Sequence, residues 1–240
     1  MYLWSLVVNL SNNKVLVSWS TGKDSAYALH KIRQTDSYEV VGILSTITEE
    51  YDRVSMHATR HELLKQQAAQ LDLPVYPVFI PAICSNGIYA ARMQWLLEQV
   101  RNQGVTHIVF GDLYLEDIRQ YRESKLAVVG IKPIFPLWGS DTRQLAREMI
   151  DIGMKAVITC IDPRKLNHSF VGRQFDQQLL ADLPENVDPC GENGEFHTFV
   201  YAGPMFSYPI AVSIGVAVER DGYLFADVLL KDDFCVSSER

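Results

Sequence analysis

The chain has 240 residues, 48% of them hydrophobic and 21% charged, which is enough for one large α/β domain or a domain of ~150 residues with a smaller appendage. A formal net charge of −7 excludes a global positive field for holding nucleic acid, so any RNA or DNA contact would be local. The four cysteines, Cys84, Cys160, Cys190 and Cys235, are scattered without C-x-x-C pairing or zinc-finger spacing, which fits a reducing, cytoplasmic setting.

In chain order, the apolar stretch 2–8 is too short to span a bilayer and lacks the flanks of a signal peptide; a strand or packing arm is expected, and no membrane contact. From Lys14 to about Cys160, short β-branched runs alternate with longer amphipathic segments. Strands are expected over 15–19, 40–45, 75–80, 107–110, 133–135 and 156–161, and helices over 24–34, 57–71, 86–103 and 141–152. The interval 164–183 reads as helical. Glycines and prolines punctuate 184–209, and the runs 210–218 and 223–230 flank Arg220-Asp221-Gly222 as a hairpin. The pattern predicts an α/β fold: a doubly wound, mostly parallel sheet over 1–135, with its ligand at the carboxyl ends of the strands, then a smaller α+β domain over 136–240.

Three segments could carry chemistry. Between the first strand and first helix lies Ser18-Trp19-Ser20-Thr21-Gly22-Lys23-Asp24-Ser25, where small residues let the backbone turn sharply, its N–H groups converge and the helix dipole points at the same spot. A polyanion fits there. A Walker A loop would need glycine at Val17 and Ser or Thr at Asp24, and no G-x-G-x-x-G is present. Lys23 is the cation best placed for phosphates, and Asp24 either caps the helix or holds magnesium. The second segment is Gly111-Asp112, at a strand's carboxyl end, with Asp112 facing a ligand or capping a helix; Arg119, Arg122 and Glu123 follow at helical spacing. The third runs from Asp188 to Phe199, where Glu192 and Glu195 stand in a glycine-bearing loop anchored by an alternating strand. His57 either approaches the nucleotide or begins a helix. His197 reads as structural, Trp138 as packing and Cys190 as a passive thiol.

The first loop resembles the S-G-G-K-D-S loop of the PP-loop ATP pyrophosphatases, with Thr21 in place of the second glycine. That substitution asks for negative φ, or a strained positive φ, at one position. Together with Gly111-Asp112, Tyr121-Arg122-Glu123, Pro136-Leu137-Trp138 and Gly191-Glu192-Asn193-Gly194-Glu195-Phe196-His197-Thr198-Phe199, it resembles the diphthine–ammonia ligase family from about Lys14 to Phe206. The resemblance implies a HUP/Rossmann-like domain of the adenine nucleotide α-hydrolase type and a smaller domain receiving the acceptor. It implies that ATP activates the carboxylate of diphthine, a modified histidine on a translation elongation factor, and that ammonia then forms the amide with loss of AMP and pyrophosphate. On this reading Ser20, Thr21, Gly22, Lys23, Asp24, Ser25, Ile43, Leu44, Ser45, His57, Gly111 and Asp112 meet the nucleotide, the backbone at Ile43, Leu44 and Ser45 meeting adenine. Mg²⁺ sits near Asp24 or Asp112, and Lys23, Asp24, Glu192 and Glu195 act in catalysis. A homodimer is one assembly left open. The alternatives are the same chemistry on a non-diphthine substrate and a non-catalytic ATP-binding sensor.

Overall fold

The computed structural model describes residues 13–55 and 57–231; the stretch 2–8, Met56 and Cys235 lie outside them. Strand β1 (Asn13–Ser18) buries Val15 and Val17 toward one face and Leu16 toward the other, as a strand covered on both sides must. It lies between β2 (Tyr38–Thr48) and β5 (Val105–Val109). Beyond these, β4 (Val75–Ile80) pairs with β2 and β6 (Lys132–Ile134) with β5, all four pairings being parallel. The chain winds outward from β1 in one direction and then, from β5, in the other, so the topological switch and its crevice fall at the carboxyl ends of β1 and β5. There β2 outruns β1 and pairs with the short antiparallel β3 (Arg53–Val54).

Helices cover both faces. On one, α1 (Lys23–Ile32) and α2 (His61–Leu71) contribute Leu29, Ile32, Leu64 and Leu71 to a core shared with Val15, Val17 and Ile43. On the other, α3 (Asn86–Asn102) and α4 (Glu116–Val129) pack Leu96, Val100, Leu126 and Val129 against Leu16, Leu44 and Ile108. Next, α5 (Thr142–Asp151) starts at Asp141, whose carboxylate accepts from the Gln144 N–H at 2.8 Å, and buries Leu145 and Met149 in the first core.

The remaining strands form an antiparallel sheet in the order β8 (Phe196–Ala202), β7 (Lys155–Ile161), β10 (Tyr223–Leu230), β9 (Val212–Arg220). Its Ala156, Ile158, Phe196 and Val200 belong to the same core as α1 and α2, so the second sheet is docked on the first sheet's helical layer. The β9–β10 turn uses Asp221 and Gly222 at φ 52° and 78°, the left-handed pair that matches strand twist in a two-residue hairpin. The doubly wound sheet and this hairpin agree with the sequence reading. The helical expectation over 164–183 does not. Only a 3₁₀ turn at His168–Phe170 and the short α6 (Gln177–Asp182) form there. Gly172 turns at φ 80°, and the following backbone pairs with the edge of β7, Gly172 N–H to Ile158 O at 2.8 Å and Phe175 N–H to Ala156 O at 2.8 Å. β10 pairs with β7 only at Cys160 and Ile161, and this backbone fills the side of β7 left open before them in place of a helix.

Candidate nucleotide site

The crevice loop is held by buried hydrogen bonds. Trp19 donates Nε1–H to Gln67 Oε1 at 2.8 Å, and Gln67 Nε2 donates to the carbonyls of Thr21 at 3.0 Å and Val200 at 2.6 Å. Thr21 takes the positive option, φ 73°, a conformation costing a β-branched residue about 1–2 kcal/mol. Its hydroxyl donates to Thr59 Oγ1 at 2.9 Å, and its carbonyl also accepts from Val200 N–H at 3.0 Å. Gly22 then precedes α1 with no side-chain cap of its own; its N–H reaches Ser20 Oγ at 3.3 Å, and the Lys23 N–H donates across to Thr198 Oγ1 at 3.1 Å. Ser25 donates to the Gly22 carbonyl at 2.9 Å and faces Ser20 Oγ at 3.2 Å, so these two hydroxyls shape the turn. A Cβ on Gly111 would lie 2.7 Å from the Asp24 carbonyl carbon; only glycine lets the loop after β5 lie against α1.

Above this loop opens a cavity of about 320 Å³, lined by Ser18, Trp19, Ser20, Leu44, Thr46 and His57 on one side and by Tyr89, Met93, Phe110 and Arg122 on the other. Apolar walls with polar groups converging at one end suit a nucleoside phosphate. Strand alternation sorts the adenine expectation. Leu44 and Thr46 line the cavity, whereas Ile43 belongs to the core on the opposite face and the buried Ser45 is not part of the lining. The backbones of Ile43 and Leu44 are engaged by the neighbouring strands: Ile43 N–H donates to Pro74 O at 3.0 Å, and Leu44 O accepts from Trp19 N–H at 2.7 Å. His57 lies outside α2 and lines the cavity, so the first of its two readings fits the geometry.

The charged motif residues lie elsewhere. Lys23 is only 2% exposed; its ammonium donates to both oxygens of Asp24, at 3.0 and 2.9 Å, and to the Cys190 carbonyl, and lies over the rings of Phe175 and Phe196 at 5.7 and 5.3 Å. Burial pulls its pKa down, but the Asp24 carboxylate and further acidic neighbours outweigh that and hold it above the ordinary lysine value. Glu192 Oε1 accepts from Leu113 N–H at 2.8 Å. Burial, reinforced by the charges of Asp24 and Asp112, pushes its pKa up to about 7. Asp188 accepts from the Tyr114 hydroxyl, Cys190 N–H and Glu192 N–H, each at 3.1 Å. Glu195 Oε1 accepts from Asn193 Nδ2 at 3.0 Å, while its buried Oε2 has no partner among the described residues. The loop from Asp188 to Glu195 is thus clasped to the loop after β5 and, through Lys23, to the foot of α1.

Lys23, Asp24, Glu192 and Glu195, expected to act in catalysis, line neither this cavity nor the larger one beside it: Lys23 and Asp24 hold each other, Glu192 holds Leu113 and Glu195 holds Asn193. The expected magnesium ligands are also engaged. Lys23 holds both oxygens of Asp24, and Arg122 donates to both oxygens of Asp112 at 2.6 and 3.0 Å, so neither acid caps a helix. Among the described residues no group of three His, Cys, Asp or Glu is gathered to hold a metal ion. The Cys190 thiol is buried and its pKa raised by that burial, in keeping with a passive role.

Sequence reasoning missed Gln67, whose signal was a polar residue on the apolar stripe of α2 with Leu63, Leu64 and Leu71. It also missed the contact of His57 with His197, ring centroids 4.5 Å apart. Burial keeps both rings neutral: the His57 pKa lies well below its ordinary value, and that of His197 is lowered to about 4.

A parallel sheet with a glycine-bearing loop and a cavity of about 320 Å³ at its switch point defines a doubly wound α/β protein of the kind that takes its ligand at that edge. Residues 13–133 match the diphthamide synthase N-terminal domain and residues 141–226 the diphthamide synthase C-terminal domain, and the chain belongs to that family. It is 26% identical over 242 residues to a diphthine–ammonia ligase of Schizosaccharomyces pombe, covering 91% of this chain and 40% of that protein. It is 24% identical to the rat and human proteins of the same name, covering 87% of this chain and 86% of each of them. A U34-tRNA thiolase of Methanococcus maripaludis, solved with its [4Fe-4S] cluster, aligns over 60% of this chain and 59% of its own at 19% identity and a TM-score of 0.36. No helix among the described residues is long and apolar enough to cross a membrane.

Proposed function

We propose that the chain is an ATP-dependent carboxylate–ammonia ligase that forms AMP and pyrophosphate, with diphthine on a translation elongation factor as its acceptor. The observation that carries this reading is the cavity of about 320 Å³ at the switch point of the sheet, lined by Ser20 of the loop and by Arg122. Family membership and the diphthine–ammonia ligase relatives support the acceptor. In this reading the residues to 135 form the nucleotide half and those from 136 the acceptor half.

A carboxylate is a poor acyl donor, and joining it to AMP supplies a leaving group. The protein's task is to align the acceptor oxygen with the α-phosphorus and to stabilise charge on departing pyrophosphate. Ser20 and Arg122, which line the cavity, suit the phosphates, and the apolar wall of Leu44, Met93 and Phe110 suits the base. Magnesium enters with the substrate as MgATP, since the carboxylates near the loop are already paired. Lys23 acts through the loop it braces. The test is to incubate the chain with MgATP, ammonium and a diphthine-bearing elongation factor, following pyrophosphate release and the factor's mass. Amide formation with stoichiometric AMP is expected. Nucleotide binding without AMP would favour the sensor, and AMP without amide on the factor would point to another acceptor.

A further inference from the structure

Among the described residues, the lining of the nucleotide cavity carries two cations, Arg122 and Lys125, and no acid, in a chain whose net charge is −7. The two are held differently. Lys125 is exposed, its ammonium 5.5 Å from the centre of the exposed Tyr121 ring, whereas Arg122 is fixed on two sides. Asp112 accepts from its Nε–H at 2.6 Å and from an Nη2–H at 3.0 Å, the two-pronged pairing that sets the plane of a guanidinium. The Arg122 Cζ lies 4.4 Å from the centre of the Phe110 ring, which lines the same cavity and itself stacks on Phe135 with centroids 5.5 Å apart. Asp112 does not line the cavity, and it is fixed in its turn: Gly111 before it lies against α1, and the Leu113 N–H after it is held by Glu192 at 2.8 Å. The N–H groups of Nη1 and the second of Nη2 are left over, and this guanidinium makes no other hydrogen bond among the described residues. An arginine tied along one edge while it lines a cavity is arranged to meet an oxyanion with the rest of its fork.

We propose that Arg122 is the catalytic cation of the first half-reaction, meeting the phosphate oxygens that gain charge as pyrophosphate departs, and that Asp112 is a positioning residue that presents Arg122, not a magnesium ligand. The inference rests on the ligase reading above and fills the role that Lys23, held in the clasp, does not take. An oxygen of the acceptor carboxylate attacks the α-phosphorus; the new O–P bond forms while the bond from that phosphorus to the pyrophosphate oxygen breaks, its electron pair leaving on that oxygen. No proton moves in this step. What the transition state needs is therefore a fixed positive charge at the departing oxygens, and a guanidinium keeps its charge throughout. Held beforehand by Asp112 and Phe110, it has little reorganisation left to make as the charge develops.

The test uses the full chain with MgATP, ammonium and the diphthine-bearing factor, well below the lowest melting temperature of the variants, and follows pyrophosphate release. Affinity for a non-hydrolysable ATP analogue is measured in parallel. Arg122→Lys keeps a charge but loses the fork, and should lower kcat on the order of 10²-fold while analogue affinity changes less than about threefold. Asp112→Asn should lower kcat on the order of tenfold without raising the Mg²⁺ concentration that gives half the maximal rate. The double variant should turn over as fast as Arg122→Lys alone, because Asp112 acts only through Arg122. Losses that multiply in the double variant, or a raised Mg²⁺ requirement in Asp112→Asn, would overturn the positioning role. An unchanged kcat in Arg122→Lys, or a loss confined to the KM for ATP, would overturn the catalytic one. Each of these results leaves the ligase reading standing, whereas absence of pyrophosphate release from the wild type would overturn that reading, and this inference with it.

Discussion

The rim of the nucleotide cavity and the clasp beneath it are built from neighbouring residues of one motif, yet they differ in kind. At the rim, Ser20 faces an open volume of about 320 Å³, with Thr21 and Gly22 buried behind it as its support. In the clasp, Lys23, Asp24, Asp188 and Glu192 leave almost none, and side chains meet carbonyls and N–H groups from segments far apart in sequence. The boundary falls just after Ser20: Ser20 lines the cavity, whereas Thr21 and Lys23 turn toward the second sheet, bonding Val200 N–H and Thr198 Oγ1. Within one loop the charged positions thus brace the uncharged one that reaches open space.

Lys23→Met would break this comparison most severely. It strands the Cys190 carbonyl and leaves Asp24 without its cation, at a cost of about 3 kcal/mol. Thermal unfolding should fall by several degrees along with pyrophosphate release; an unchanged melting temperature with activity lost would restore Lys23 to direct phosphate contact, as the sequence alone suggests. Gly111→Ala ranks next. Its methyl carbon would meet Asp24 backbone at 2.7 Å, so α1 must shift at a cost of about 1–3 kcal/mol. Rim and clasp should fail together, seen as weaker ATP-analogue binding and a lower melting temperature in the same variant.

Much of the fold was legible in the sequence, because β-branched runs and helical spacing are local signals. Strand β4 falls at the expected residues, and Asp221-Gly222 forms the expected turn. The sheet also put the Ser20–Gly22 loop and Gly111 at the expected edge. What escaped is non-local. The carbonyl that holds Lys23 comes from Cys190, 167 positions away, and no spacing rule reports it. The segment after Arg164 has helical composition, yet the unfilled edge of β7 took it. On β2, strand alternation brings Leu44 and Thr46 to the cavity and turns Ile43 to the opposite core.

The pH response sharpens the contrast further. The folded-state pKa of Glu192 is about 7, above its ordinary 4.5, so the folded chain binds this proton more tightly than the unfolded chain does. The stabilisation is complete below the unfolded value and is lost as pH rises through the folded one. His197, lowered from 6.5 to about 4, has the opposite slope: the folded chain loses stability as pH falls through that window. Glu192→Gln removes only the first effect, so its stability relative to wild type should improve steadily from about pH 4.5 to pH 7 and level off above. Urea denaturation of both proteins across this range checks it; parallel curves would mean that the clasp does not hold the carboxyl in its protonated form.

The smallest expected effect is at the rim, with Thr21→Gly. Glycine relieves the left-handed strain of a β-branched residue, about 1–2 kcal/mol, but adds about 0.5–1 kcal/mol of unfolded-state entropy. It also removes the Thr21–Thr59 hydrogen bond, about 1 kcal/mol. These nearly cancel, so stability should stay within about 1 kcal/mol of wild type. ATP-analogue affinity should hold as well, because the carbonyl bonds from Gln67 and Val200 fix the backbone path whatever the side chain. A large loss of affinity with stability retained would place the threonine side chain itself in ligand contact, and the rim would then resemble the clasp in working through side chains.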